Sequence, residues 1–282
     1  MKGLSALWVL VVIVAVLLAA SGLTYAQEKS GDIVQEGNNN VAGIDQRLLN
    51  EAVILQLGDR NEATVRQVGL DHEASIGQSG DENQASISQD GCESIAVVSQ
   101  FGMDNKSEIT QLGAWYNWRF PLNPYGPGFY QTVSVVQVGI GNETEAVQMH
   151  GLNKTSVYQV GGDNTVEAFQ VQFSREQPDE DNVISIYQLG DMNAADTKQV
   201  GAYNTQFVFQ NGDSNSTAVT QRGLENLAII GQWGSENKAV TSQYGDSNRS
   251  LIWQHGNYNM AVTIQNSWVS TASLPRRLPY TL

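Results

Sequence analysis

The residues whose spacing could do chemistry are side-chain amides. Glutamine stands at Gln35, Gln46, Gln56, Gln67, Gln78, Gln89, Gln100 and Gln111, then every 11 residues from Gln137 to Gln170 and from Gln188 to Gln265. A primary amide offers two donor protons and an acceptor oxygen. Held in register, such groups can bond copy to copy without limit. Buried and unpaired, each costs about 1–3 kcal/mol. The chemistry this spacing implies is recognition of like by like, not turnover of a substrate.

Other reactive groups are sparse. His72, His150 and His255 fall at repeat slots or in turns, and none has a partner at catalytic or ligand spacing. Cys92 stands alone in a turn, so no intrachain disulfide can form. No irregular charged cluster of the kind a polysaccharide-cleaving β-helix needs is evident, and no enzyme is expected. Acidic residues follow the glycine in many turns, and Asp59, Asp81 with Glu82, Asp104, Asp163, Asp191, Asp213 and Glu236 share one edge. Stacked carboxylates could collect Ca²⁺, but the calcium-binding β-helix repeat has a nine-residue unit. The reading preferred is charge that opposes premature aggregation, with no metal and no cofactor.

The elements that hold these amides are short and identical. The unit is N-x-A-x-x-x-Q-x-G-x-x. It recurs as Asn61, Ala63, Gln67, Gly69; as Asn83, Ala85, Gln89, Gly91; as Asn193, Ala195, Gln199, Gly201; and as Asn226, Ala228, Gln232, Gly234. An 11-residue period also suits a right-handed coiled coil. A glycine in every unit would cost each such helix about 1 kcal/mol, and leucine is sparse. The slot two before each Gln is β-branched in eighteen of twenty units (Ile33, Val65 and Ile87 among them), which favours strand. In a strand, Asn, Ala, the β-branched residue and Gln then share one face. Glycine supplies the turn.

Two units make a 22-residue coil. The fold class expected is all-β: a β-solenoid of about ten such strand–turn–strand coils, with two facing parallel sheets and stacked Asn/Gln ladders. Coils about 4.8 Å apart would set every amide over its copy. A solenoid of this kind exposes unpaired backbone and half-finished ladders at each end, which favours self-association.

Beyond the repeats, Lys2, the apolar run Leu4 to Ala20 and the small residues Thr24 and Ala26 read as a signal peptide over 1–26. Repeats fill 27–266, and 267–282 form a tail with Pro275, Arg276, Arg277 and Pro279. Two insertions, at about 112–130 and 171–181, are expected to interrupt the stack and to leave from one edge, since both follow an even-numbered strand. The first carries Trp115, Tyr116, Trp118, Phe120 and Tyr125, which would either fold over the slab or contact a partner. The second is an acidic bulge. A net charge of −14 and a pI near 4.5 argue against nucleic acid as a partner.

The repeat resembles that of the curlin family, whose units pair an Asn-x-Ala-x-x-x-Gln strand with Gln-x-Gly turns. The resemblance runs from about residue 29 to 266. It implies a subunit of an amyloid fibre of the curli type, a pilus or fimbrium on the cell surface. By that resemblance the chain would pass through the periplasm and a dedicated outer-membrane pore, meet a nucleation partner, polymerise with itself, and serve adhesion and biofilm. The competing reading is a capped, monomeric β-solenoid adhesin or a fibre nucleator that uses loop 114–130 or the tail.

Overall fold

A computed structural model describes residues 30–113, 130–172 and 181–267, and all regular structure in them is strand. Before the first insertion lie β1 (Ser30–Glu36), β2 (Val41–Arg47), β3 (Asn50–Leu57), β4 (Glu62–Leu70), β5 (His72–Asp81), β6 (Gln84–Cys92), β7 (Ser94–Met103) and β8 (Lys106–Leu112). Between the insertions lie β9 (Gln131–Ile140), β10 (Glu143–Met149), β11 (Asn153–Gly162) and β12 (Thr165–Val171). After them come β13 (Asn182–Leu189), β14 (Ala194–Ala202), β15 (Thr205–Asn211) and β16 (Ser216–Leu224). The last four are β17 (Leu227–Trp233), β18 (Lys238–Gly245), β19 (Arg249–His255) and β20 (Met260–Ser267). Odd strands form one 10-stranded sheet and even strands the other, each in simple sequential order. The β-solenoid of ten coils is therefore present as read from the repeat.

Register follows the repeat slot by slot. Asn153 pairs with Asn182, Val157 with Val135 and Ile186, and Gln159 with Gln137 and Gln188. Alternation then sends one set of side chains inward. Ile54, Ile76, Ile87, Ile109, Ile184 and Ile230 are fully buried, with alanines such as Ala63, Ala96 and Ala228 beside them. The core is one layer of β-branched and alanine side chains between the sheets, flanked by the amides.

Turns are tight because coils have no room to spare. Gly80 takes φ +117°, and a Cβ there would stand 2.0 Å from the carbonyl oxygen of Gly102 in the next coil. Only a residue without a side chain fits that approach. Two residues on, the chain enters the left-handed region at non-glycine positions such as Arg60, Glu82 and Asp163.

The insertions do not interrupt the stack. β7 pairs with β9 and β8 with β10 in the ordinary register, with Gln100 beside Gln137 and Gln111 beside Gln148. β11 likewise pairs with β13 across the second insertion. Backbone pairing depends only on the slots, so extra residues leave at a turn without shifting it. Both insertions depart where an even strand gives way to an odd one, which is a single edge of the slab. Trp115, Tyr116, Trp118, Phe120 and Tyr125 lie outside the described residues, as do the segments 1–29 and 268–282.

Candidate functional site: amide ladders and open ends

Each Gln closes its strand facing inward, and the stacked coils bring successive copies within bonding range. In the odd sheet Gln35 donates from Nε2 to Gln56 Oε1 at 2.6 Å, Gln56 to Gln78 at 2.9 Å and Gln78 to Gln100 at 2.8 Å. The series continues through Gln137, Gln159, Gln188, Gln210 and Gln232 to Gln254. In the even sheet it runs from Gln46 through Gln67, Gln89 and Gln111 to Gln265. Every link points the same way, from the earlier coil to the later. The second Nε2 proton crosses the core, as Gln67 donates to Glu51 O and Gln78 to Glu62 O. The ladder thus ties coil to coil and sheet to sheet.

The Asn ladders run in the opposite sense. Asn83 donates from Nδ2 to Asn61 Oδ1 at 3.0 Å, and its backbone N–H reaches the same oxygen at 3.1 Å. Its other side-chain proton goes to Gly102 O, at 2.9 Å, in the turn of the next coil. On the edge that precedes the even strands this pattern is continuous from Asn40 to Asn259.

On the other edge the Asn ladder is broken, because His72, Ser94 and Gln131 hold Asn slots. His72 substitutes in part. Its N–H donates to Asn50 Oδ1 at 3.0 Å, and its Nδ1 accepts the N–H of Ser94 at 3.2 Å. That places the imidazole proton on Nε2, which is buried with no partner in hydrogen-bond geometry. Burial holds the His72 pKa below its ordinary value, against the pull of the Val68 and Gly91 carbonyls and of Asp90 and Asp71. Ser94 Oγ and Gln131 Oε1 are also buried without partners among the described residues. Nearby Cys92 is half-buried, and desolvation pushes its thiol up, which makes it a poor nucleophile.

Turn carboxylates turn out to hold backbone. Asp59 Oδ1 accepts the N–H of Asn38 at 2.7 Å, Asp81 Oδ1 that of Asp59 at 2.9 Å, and Asp213 Oδ1 that of Asp191 at 3.1 Å. Each acid caps the turn of the coil before it. Among the described residues no group of three or more His, Cys, Asp or Glu could hold a metal ion.

The sequence motif residues therefore occupy definite places. Asn61, Ala63, Gln67, Asn83, Ala85, Gln89, Asn193, Ala195, Gln199, Asn226, Ala228 and Gln232 are buried in core and ladder. Gly69, Gly91, Gly201 and Gly234 make the positive-φ turns. Sequence reasoning did not resolve the direction of the ladders, the capping by turn carboxylates, or a difference between the two outer faces described below.

Ladder direction gives the slab unlike ends. At the first coil, no donor among the described residues reaches Gln35 Oε1, while Gln35 Nε2 donates onward to Gln56. At the last coil, Gln254 and Gln265 each donate one proton, to Lys238 O and Arg249 O, and the other has no acceptor among the described residues. Asn259 Oδ1, which would accept from a following Asn, is likewise unmet, while Asn40 bends its amide back to Glu36 O. The end strands are open as well: β1 is exposed throughout, and β20 is exposed or half-exposed throughout.

These features define a class: a parallel β-solenoid whose identical coils are held by one-way amide ladders. The sequence pattern of the curlin associated repeat matches at residues 50–80, 80–113, 212–240 and 234–265. Residues 50–113 and 212–265 therefore carry the curlin associated repeat. No curated protein matches it in sequence.

Proposed function

We propose that the chain is an exported structural subunit that joins end to end with copies of itself to build an extracellular, curli-like amyloid fibre serving adhesion and biofilm matrix. The observation that carries this reading is the complementarity of the two ends. A copy placed head to tail brings Gln254, with its spare Nε2 proton, beside the unfilled Oε1 of Gln35. It also brings Asn40 beside the unmet oxygen of Asn259. Head-to-head stacking would set acceptor against acceptor in the Gln ladder and donor against donor in the Asn ladder, so both favour one sense of addition. The joint repeats the bonds inside the slab and requires no new kind of contact.

In this reading residues 1–26 direct export and are removed, and transport and nucleation use curli-type outer-membrane partners. The role is structural, not catalytic: the amides are consumed in ladders and Cys92 is desolvated. The test is to dilute residues 27–282 from denaturant and follow thioflavin-T fluorescence with fibre diffraction. Growth after a lag, with reflections near about 4.7 and 10 Å, is expected. A monodisperse monomer that persists for days at micromolar concentration would contradict the proposal and favour an adhesin.

A further inference from the structure

The slab has two unlike outer faces, a difference that coil stacking does not require. From β7 to β19 the outward slots of the odd sheet hold no carboxylate, and their full cations are Lys154, ion-paired with Asp181, and Arg249. Large apolar groups take their place, among them Phe101, Tyr158, Tyr187, Phe207, Phe209 and Trp253. Tyr187 is 37% exposed, Phe207 38% and Trp253 60%. The even sheet presents charge over the same coils, including Glu108, Glu143, Glu145, Glu167, Asp196 and Lys198.

The aromatic groups pack on one another along the stacking axis. Trp233 leans over the bare Cα of Gly231, where a Cβ would come within 2.5 Å of its ring. It stacks on Trp253 at 5.0 Å and 10° and packs against Phe209 at 5.3 Å. Tyr187 lies 5.6 Å from Phe207 and 6.3 Å from Tyr158. Rings packed on one another, stacked at Trp233 and Trp253 and tilted at the other pairs, do not lie flat as a platform for sugars. They form apolar ridges that run from coil to coil.

We propose that this face of the odd sheet pairs with the same face of a second copy, so that two slabs lie back to back. Seven strands at about 4.8 Å, each about 23 Å long over its outward slots, give roughly 770 Å² per copy. A stable protein interface buries about 800 Å² per partner. Charge selects the face as well. Pairing through the even sheet would instead strip water from its carboxylates and from Lys106, Lys198, Arg222 and Lys238. The apolar face ends where Asp32, Glu36, Glu51 and Glu73 occupy the outward slots of β1, β3 and β5. The pairing is lateral and does not depend on joining at the ends.

The test separates the two kinds of association. The full chain carrying Gln254→Glu, which sets a carboxylate against the acceptor end of a following copy, is examined by sedimentation velocity. A dimer at micromolar concentration is expected. Adding Tyr187→Lys and Trp253→Lys should raise its Kd at least about tenfold. Phe169→Lys and Tyr244→Lys, on the even sheet, should leave it unchanged. Fibres of the unaltered chain should be two slabs thick in electron micrographs, and those of the Tyr187→Lys/Trp253→Lys chain one slab thick with unchanged growth. A chain that stays monomeric at about 100 μM, or a dimer indifferent to the two lysines, would overturn the proposal. So would a monomer retained on insoluble β-glucan in a Trp253-dependent way, which would make the face a glycan site.

Discussion

Gln232 donates an amide proton to Gln254 across 2.8 Å, and Gln254, last in that ladder, keeps a proton that no described residue accepts. The bond that holds the interior together is thus the bond left unmade at the end. Stability and assembly rest on the same chemistry, and substitutions inside the ladder and at its ends should separate them.

Inside the ladder, Gln148→Met keeps the volume and removes the amide. Gln111 Nε2 then loses its acceptor and Thr132 O its donor. Each orphaned group costs about 1–3 kcal/mol, so a loss of roughly 3 kcal/mol in denaturant unfolding is expected. The outward neighbour change Val147→Thr should stay within about 0.5 kcal/mol.

Two glycines should behave oppositely. Gly80→Ala drives a Cβ onto the Gly102 carbonyl at 2.0 Å and should cost about 1–3 kcal/mol. Gly43 faces outward on β2 with nothing within 4 Å of the added carbon and no positive φ. Gly43→Ala should stabilise by about 0.4–1 kcal/mol, by restricting the unfolded chain. Thermal midpoints of the two variants check both signs.

His72 should make the first coils acid-sensitive. Its folded pKa lies below the ordinary 6.5 because burial disfavours the charged ring. The unfolded chain therefore binds the proton more readily, and stability falls as pH drops through 6.5 toward the folded value. His72→Asn restores the slot residue, removes the unpartnered Nε2 and should abolish that fall. Urea midpoints at pH 7 and pH 5 for the two chains give the comparison.

Glu73 should act in the other direction. Partial desolvation at the sheet surface, and then the charge of Glu51 in the neighbouring strand, hold its pKa above 4.5. The two residues face each other in register. Here the folded state binds the proton more tightly, so stability declines as pH rises through 4.5 to the folded value and is recovered on acidification. Glu73→Gln should be more stable than the parent at pH 7, and the difference should vanish below the window. Unfolding midpoints across pH 3.5–7 test this.

The sequence spelled out the coil because slot chemistry and strand geometry share a period. Asn61, Ala63, Val65 and Gln67 alternate inward, so residue type alone located core and ladder. Ladder direction was not legible, since an amide read as a letter has no orientation. Asp81 read as a charged turn residue because its bond to the backbone of Asp59 spans a coil, 22 positions away. The two outer faces escaped notice for a related reason. Read unit by unit, the outward slots look free; sorted by alternate units, Tyr187, Phe209 and Trp253 fall on one sheet and Glu145, Glu167 and Asp196 on the other. The insertions were expected to interrupt the stack, yet pairing across them depends on slots such as Gln100 and Gln137, not on chain length between them.

Head-to-tail joining is tested most directly by disulfide trapping across the joint. Asp45 and Ile264 occupy the same outward slot, one before Gln46 in β2 and one before Gln265 in β20, on the charged sheet. In a continued sheet their Cα atoms would lie about 4.8 Å apart, within disulfide range. Two chains are prepared, each with Cys92→Ser, one carrying Asp45→Cys and the other Ile264→Cys. Mixed fibres should give crosslinked dimers on oxidation, and fibres of either chain alone should give none. Crosslinks within a single-variant fibre, or none in the mixture, would contradict one-way stacking through the amide ladders.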